Sequence, residues 1–350
     1  MHDLPLRDYR PIPMVRRTRT ELPPRPPAPM IDAHNHLGRW LTGEWTVPDV
    51  SALLAMMDEL SLEAFVNLDG MWGDELDANL DRYDRAHPGR FATFAQWDRR
   101  WFELGAWDEL AAQLRDAFAR GAKGLKVWKD LGLHLRDEQG VLVMPDDERL
   151  DPTWDAVAEA GVPVTIHVAD PVAFFQPMDE RNERLEELLV NPDWWFGDRD
   201  RFPPFERIVE SLEALVARRR DVAWIGAHVL CHAEDTTWVG RMLDTYTNVH
   251  ADVGARLAEL GRVPRAARDL LATHTDRFLL GTDSFPPTPA EFEVHRRFFE
   301  TADEAFPYDA DPDDAPSQGR WTISGVDLPA GVLEQLYAGN ARRLIFEAAS

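Results

Sequence analysis

Short apolar runs that end in polar residues recur along the chain, and most are followed by a segment with helical periodicity. Runs of this length, rich in β-branched residues, are typical of buried strands in a parallel sheet. Eight such strands are predicted: Met30–His36, Leu62–Asp69, Arg90–Trp97, Ala122–Trp128, Val162–Val168, Val222–His228, Thr247–Asp252 and Arg277–Asp283. Their alternation with helices indicates an α/β fold.

Amphipathic helices are predicted between the strands. Within Trp107–Arg120, Leu110 and Leu114 lie four residues apart, a spacing that places both side chains on one face of a helix. Segments 204–219 and 263–275 show similar periodicity. Eight strand–helix units predict a closed (β/α)₈ TIM barrel.

An open, doubly wound sheet is the alternative fold. It would usually carry a glycine-rich phosphate-binding turn after its first strand, and residues 37–40 do not form one. We therefore expect one barrel domain over residues 30–350, preceded by a Pro- and Arg-rich extension over residues 1–29. Two long inserted loops, residues 170–204 after the fifth strand and 303–326 after the eighth, are expected to act as lids or binding elements.

The composition excludes several classes of protein. The net charge of −24 at pH 7 repels phosphate groups, so neither nucleic acid nor an anionic membrane is an expected partner. Residues 1–29 lack the apolar run of a signal peptide, and no stretch approaches the roughly 20 apolar residues of a membrane span. The single cysteine, Cys231, cannot form an internal disulfide. These features predict a cytoplasmic protein.

Lysine is used in only one place. Lys123, Lys126 and Lys129 are the only lysines among 38 basic residues. An amine can lose its charge or form a carbamate, which a guanidinium does not readily do, so a chemical role is expected within this window. Lys123, at the start of its strand, is expected to be structural.

Candidate catalytic groups lie where the predicted strands end. His34 and His36 share one face of the first strand because side chains alternate along a strand, and two imidazoles so placed could share a cation. His167, His228 and Asp283 end the fifth, sixth and eighth strands. Barrel enzymes place their chemistry at this rim, so the five residues are expected to converge. Each residue taken alone is equally compatible with a structural role.

Several motifs carry a family resemblance. They are DAHNH at residues 32–36, VTIHVAD at 164–170, IGAH at 225–228, LLGTDS at 279–284 and YAGNARRL at 337–344. The sequence resembles the amidohydrolase superfamily, and most closely its amidohydrolase-related branch of hydrolases, lactonases and non-oxidative decarboxylases. The resemblance runs from about Met30 to Ile345.

The resemblance implies that His34, His36, His167 and Asp283 bind a divalent metal and that His228 polarises a substrate oxygen. Zn²⁺ is the expected metal and Mn²⁺ the alternative, because zinc favours nitrogen and carboxylate ligands. Asp283 is expected to exchange a proton with the reacting water, and His228 to stabilise the developing oxyanion.

Lys126 has two interpretations. In related barrels a carbamylated lysine at this position bridges two metals; otherwise Lys126 binds a substrate carboxylate or fills the interior, and one ion is then expected. Lys129, Arg256, Trp194 and Trp195 are predicted to contact the substrate.

Two aspartates are also candidates. Asp32 is expected to accept a hydrogen bond from a ligand imidazole or to be structural. Asp252 is expected to orient an anionic substrate or to form an ion pair within the scaffold.

Three functions are compatible with these residues. The leading hypothesis is a hydrolase that attacks an amide, ester or lactone carbonyl of a small anionic substrate with metal-bound hydroxide. The alternative is a metal-dependent decarboxylase of a small aromatic or unsaturated acid. A barrel that retains its ligands but serves only as a binding protein is the third. A homo-oligomer is compatible with all three.

Overall fold

The computed structural model describes residues 4–5, 9, 11–12, 14–17, 19–40, 43–309 and 318–347. Parts of the predicted N-terminal extension and of the loop after the eighth strand therefore lie outside the described residues. None of the helices in these ranges has the length and apolar character needed to cross a bilayer.

Eight parallel strands form the centre of the fold. They are β1 (Met30–Asn35), β2 (Leu62–Asn67), β3 (Phe91–Thr93), β4 (Leu125–Val127), β5 (Val164–Ile166), β6 (Trp224–Gly226), β7 (Val249–Asp252) and β8 (Phe278–Leu279). Continuous pairing gives two sheets, ordered β1-β2-β3 and β4-β5-β6-β7-β8. A bridge between Ala95 and Leu125 joins the sheets on one side. On the other side, the Ala33 amide donates to the Leu280 carbonyl at 2.8 Å.

Helices separate the strands, as the sequence pattern predicts. The α-helices in the described part of the chain are α1 (Val50–Leu60), α2 (Gly73–Leu80), α3 (Arg100–Glu103), α4 (Trp107–Arg120), α5 (Asp151–Ala160), α6 (Leu185–Val190), α7 (Phe205–Arg218), α8 (Ala227–Leu230), α9 (Thr236–Thr245), α10 (Leu257–Leu260), α11 (Pro264–Thr273), α12 (Pro289–Glu300) and α13 (Ala330–Glu334). Shorter 3₁₀ turns span Glu148–Leu150, Val172–Phe175 and Pro192–Trp194, and π-helical turns span Asp81–Arg85, Gln335–Gly339 and Arg342–Phe346. The predicted helix Trp107–Arg120 is confirmed with its bounds.

The strands are shorter than predicted. Each predicted run contains a strand, but His167, His228 and Asp283 follow β5, β6 and β8 instead of lying on them. A strand ends where its ladder hydrogen bonds end, and an apolar run does not record that point. The side chains therefore project from turns at the carboxyl ends of the strands.

The loop predicted after the fifth strand has secondary structure of its own. It contains Val172–Phe175, α6 and Pro192–Trp194. Arg184, immediately before α6, has its side chain fully buried and pairs with Glu259 of α10. This segment is therefore packed into the protein rather than extended into solvent.

Two apolar layers build the core. The large cluster lies between strands and helices and includes Leu125 and Val127 of β4. A smaller cluster brings Ile31 and Ala64 of the paired strands β1 and β2 together with Ile225 of β6, which is a neighbour of neither strand. Contacts between such strands place this cluster inside the barrel, below the polar residues that follow.

The described part of the extension packs against α12 and the segment that follows it. The Thr20 hydroxyl donates to Asp303 at 2.7 Å, and the Arg296 guanidinium donates to the Pro23 carbonyl at 2.8 Å. The extension therefore contacts the barrel near the start of β1, away from the strand ends.

Candidate active site

Three imidazoles and one carboxylate converge at the carboxyl ends of the strands. The Nε2 atoms of His36 and His34 lie 3.3 Å and 3.6 Å from Oδ1 of Asp283, and Nε2 of His228 lies 3.9 Å from Oδ2. His34, His36 and Asp283 offer atoms close enough to hold one metal ion. We call His34, His36, His228 and Asp283 the histidine cluster.

Left-handed backbone aims two members of this cluster. Asp283 has a φ of 57°, and its amide donates to the His34 carbonyl at 2.8 Å. His228 begins a run of four residues, His228–Cys231, with φ between 56° and 59°. Residues other than glycine adopt this conformation at an energetic cost and do so most often at functional sites. Neither turn could be recognised from the residue types at these positions.

Buried carboxylates hold two of the imidazoles. Nδ1 of His34 lies 2.8 Å from Asp252, and Nδ1 of His36 lies 2.8 Å from Asp69. Ionised carboxylates only accept hydrogen bonds, so each Nδ1 carries a proton and each Nε2 is turned toward Asp283. Sequence analysis missed Asp69, although the residue follows the second strand as His34 and His36 close the first.

A backbone carbonyl does the same for His228. Nδ1 of His228 lies 2.8 Å from the carbonyl oxygen of Gly254 and donates a hydrogen bond to it. Nε2 of the neutral ring is then an acceptor. A Cβ added to Gly254 would lie 3.2 Å from Asp252 and 3.3 Å from Asp283. A larger residue at position 254 would therefore press on both aspartates.

Asp252 orients the cluster and is not available as a ligand. One oxygen accepts from the amides of His228 and Gly254, both at 3.0 Å, and the other faces Nδ1 of His34. His34, His228 and Asp252 lie close enough together to suggest a second cation site. Oδ1 of Asp252 already accepts two hydrogen bonds and Oδ2 faces the His34 ring, so this carboxylate serves to orient His34 and His228.

The cluster shifts the protonation of its members. Burial alone would raise the pKa of the Asp283 carboxyl, but the charges of His34 and His36 outweigh burial and hold it well below its usual range. Burial alone would lower the pKa of His36, whereas Asp69 and Asp283 raise it to about 9. The negative charge around His36 therefore favours a positive charge, whether that charge is a proton or a metal ion.

His167 lies beside the cluster and contacts a different carboxylate. Its ring centroid is 4.4 Å from that of His228, and its buried Nε2 lies 3.4 Å from Asp170 without forming a hydrogen bond. Lys129 donates to Asp170 at 2.6 Å, and its Nζ lies 5.0 Å from the centre of the Trp194 ring. The structure thus brings Lys129 and Trp194 together near His167 through Asp170, which sequence analysis did not select.

Lys126 reaches the cluster from β4. Its side chain is fully buried, Nζ lies 3.3 Å from Nε2 of His34, and burial lowers the pKa of the amine. Its Nζ also lies 5.1 Å from the centre of the Trp128 ring. The structure therefore places the Lys126 amine beside His34.

Two other candidates occupy different settings. Asp32 contacts no imidazole ring; it accepts from the amides of His34 and Thr282 at 3.1 Å and 3.0 Å and from the Thr282 hydroxyl at 2.6 Å. The prediction that Asp32 supports a ligand imidazole is therefore wrong, and its alternative structural role holds, because its carboxylate joins β1 to the turn after β8. The indole nitrogen of Trp195 donates to Gln176 within its own segment.

Aromatic side chains border the cluster on one side. Trp128 stacks on His36 with ring centroids 5.0 Å apart, and Trp40 lies 4.5 Å from Trp128. Phe285 meets His36 edge to face at 5.5 Å and is 45% exposed. Aromatic rings therefore line the approach to His36 and make it apolar.

Comparisons with known proteins agree with this architecture. Residues 31–346 match the family model described as Amidohydrolase. A search of curated protein sequences found no match.

Solved structures share the fold over most of the chain. A TIM-barrel protein from Bordetella bronchiseptica is 14% identical and covers 92% of this chain and 99% of its own, with a TM-score of 0.52. 2,6-Dihydroxybenzoate decarboxylase from Rhizobium is 17% identical; the alignment covers 91% of this chain and 98% of the decarboxylase, with a TM-score of 0.53. 5-Carboxyvanillate decarboxylase from Sphingomonas paucimobilis is 13% identical; the alignment covers 91% of this chain and 99% of the decarboxylase, with a TM-score of 0.52. At this identity the likeness supports the predicted (β/α)₈ barrel and not a particular reaction.

Proposed function

The chain belongs to the amidohydrolase family of metal-dependent enzymes, which includes hydrolases and decarboxylases, and on this premise we propose that it hydrolyses an amide, ester or lactone of a small substrate. One observation carries the proposal. Asp252, Asp69 and the Gly254 carbonyl each fix a proton on Nδ1 of a histidine, so that the three Nε2 atoms face the Asp283 carboxylate. In metal sites of proteins, an acceptor that binds the other ring nitrogen of a histidine orients the imidazole toward the metal.

The donor set fits a divalent cation. His34, His36 and Asp283 would hold it, and Zn²⁺ suits these nitrogen and carboxylate ligands, with Mn²⁺ as the alternative. We propose His167 as a further ligand, because its buried Nε2 has no hydrogen-bond partner. When bound, such an ion polarises a carbonyl oxygen and lowers the pKa of a water molecule.

Asp283 is proposed as the general base. Its side chain is 19% exposed, whereas those of His34, His36 and His228 are almost completely buried, so Asp283 is the cluster member that water reaches most readily. Its carboxylate would accept a proton from the attacking water and return it to the leaving group. A cavity of about 190 Å³ adjoins Asp283 and gives the leaving group space.

His228 is proposed to stabilise negative charge on the substrate oxygen. Because Nδ1 donates to Gly254, Nε2 becomes a donor only in the imidazolium form. Oδ2 of Asp283, 3.9 Å away, is the nearby group that could share a proton with Nε2. The two residues would therefore act as a pair.

Decarboxylation of a small aromatic or unsaturated acid is the second candidate. The aromatic border formed by Trp40, Trp128 and Phe285 beside His36 favours an aromatic substrate. In that reaction Asp283 or His228 would deliver a proton to the carbon that loses CO₂. The same cluster would serve either reaction.

Elemental analysis combined with a substrate panel tests the proposal. We expect about one zinc or manganese ion per chain, loss of activity on chelation, and hydrolysis of at least one lactone, ester or amide. Release of CO₂ from an aromatic acid without hydrolysis of any carbonyl substrate would assign the second reaction instead. A metal-loaded protein that turns over neither class would support a binding role.

Intact-mass analysis tests the state of Lys126. We propose an unmodified amine and a single ion. A mass increase equal to one CO₂ that is absent from Lys126→Met, together with two ions per chain, would instead assign a carbamylated bridge.

A further inference from the structure

Arg256 is a buried cation that no carboxylate of the described residues contacts directly. It precedes α10, is 7% exposed, and donates from Nη1 to the carbonyl of Ala255 at 2.8 Å. Within the described ranges, no carboxylate oxygen lies within 4.0 Å of its guanidinium nitrogens. A buried charge without a partner is costly, and proteins retain such groups mainly where a ligand supplies the partner.

A second buried arginine close by shows the usual arrangement. Arg184 is 1% exposed and pairs with Glu187 at 2.7 Å and with Glu259 of α10. These two carboxylates are the ones that could have neutralised Arg256 from α6 and α10. Another nearby carboxylate, Glu234, accepts from the Val172 amide at 2.8 Å. Glu187 and Glu234 act on Arg256 through space but do not contact its guanidinium.

Arg256 also lies next to the histidine cluster. Two residues earlier, the Gly254 carbonyl accepts the hydrogen bond from His228. The cavity that adjoins Asp283 is also lined by Ala255 and Leu257, the residues on either side of Arg256.

We infer that Arg256 anchors a carboxylate-binding subsite beside His228, so that the substrate carries a carboxylate in addition to the group that reacts at the histidine cluster; the position of that reacting group rests on the proposed function. A guanidinium matches a carboxylate with two parallel hydrogen bonds, and a buried setting strengthens the pair. The substrates expected are small carboxylic acids that also bear an amide, ester or lactone.

Calorimetric binding of benzoate and benzamide tests the inference. The two probes have similar shape and differ in charge, and each is titrated into zinc-loaded protein and into protein stripped with a chelator. In both forms we expect the wild type to bind benzoate about ten-fold or more tightly than benzamide, as a hydrogen-bonded charge pair provides. If the preference for benzoate persists in the stripped protein, it does not come from direct binding of the carboxylate to the metal.

Three variants assign the preference to Arg256. Arg256→Gln should bind the two probes equally, Arg256→Lys should keep part of the preference, and Arg241→Gln, which removes an exposed arginine paired with Glu213, should resemble the wild type. Equal binding of the probes by the wild type, absence of benzoate binding, or an undiminished preference in Arg256→Gln would each overturn the inference. Because the stripped protein needs no turnover for this readout, failure of the hydrolase proposal would not imitate these results.

Discussion

The histidine cluster and the Arg184 ion pairs are both buried, charged and assembled from distant parts of the sequence, yet their polar atoms are used differently. Arg184 is paired on two sides, by Glu187 and Glu259, and lies 5.5 Å from the centre of the Trp321 ring. The cluster instead leaves the Nε2 atoms of His34, His36 and His228 facing a carboxylate. Charged groups that pair with one another stabilise the scaffold. Ring nitrogens such as these Nε2 atoms, which are oriented by acceptors bound to the opposite nitrogen of the ring, remain available for chemistry.

Asp283→Asn should give the largest effect and should separate the two regions most clearly. The amide cannot accept a proton from water, so kcat/KM on a hydrolysed substrate should fall by about 10³- to 10⁴-fold, or about 4 to 5.5 kcal/mol. The melting temperature should change little, because the side chain is partly exposed. Asp244→Asn, an exposed carboxylate paired with His274, is the matched control and should retain activity. A variant with wild-type turnover would remove Asp283 from the chemistry.

Arg184→Met should show the opposite behaviour. Removing one partner leaves Glu187 and Glu259 buried without a counter-charge, and the free energy of unfolding in urea should fall by about 3 to 5 kcal/mol. The folded fraction should keep its kcat. The exposed pair Arg241–Glu213 provides the control, since Arg241→Gln should cost less than about 1 kcal/mol. Loss of kcat at unchanged stability would assign Arg184 to the site.

Strand β7 contains a buried histidine, His250, in addition to Asp252 of the site. Burial, with the charges of Arg277 and Arg343, lowers the pKa of His250 from 6.5 to about 4. The folded state therefore holds the neutral ring, and its contribution to stability is complete above pH 6.5 and is lost as the pH falls toward 4. The shift corresponds to about 3 kcal/mol at about 1.4 kcal/mol per pKa unit.

Unfolding curves at several pH values check this expectation. The stability of His250→Gln should fall less steeply than that of the wild type between pH 6.5 and pH 4. Some dependence should remain, because the pKa of buried His295 is also lowered to about 4. Parallel curves for the two proteins would show that His250 is not responsible.

Asp252→Asn should give the smallest of these effects and should act on the metal. The variant loses the carboxylate that faces Nδ1 of His34, and removal of such a partner weakens metal affinity by about 10- to 100-fold. The Kd for zinc, measured by competition with a chromogenic chelator, is the readout. An unchanged Kd accompanied by lower stability would place Asp252 with the Arg184 ion pairs instead of with the cluster.

Local patterns predicted most of the fold. Apolar runs located all eight strands, and the four-residue spacing of leucines located α4 with its bounds, because both patterns reflect which side chains must be buried. The ends of seven of the eight strands were predicted too far along the chain, whereas β7 ends at Asp252 as predicted. Ladder hydrogen bonds stop where neighbouring strands stop, and that depends on residues elsewhere in the sequence.

The candidate site was predictable in part for the same reason. His34, His36, His228 and Asp283 could be selected because they follow apolar runs that end at one rim of a barrel. Asp69 follows such a run too, and that position was the signal that could have found it.

The sequence by itself determined which residues are apolar, where strands and helices form, and hence that several histidines and an aspartate lie at one end of a parallel barrel. Only the tertiary structure decided how those side chains are used. Whether an aspartate holds a histidine ring, as Asp252 does, or ties a strand to a turn, as Asp32 does, depends on which donors lie within hydrogen-bonding distance. The same applies to the two buried arginines, since pairing is a property of the space around Arg184 and Arg256 and not of the residue type.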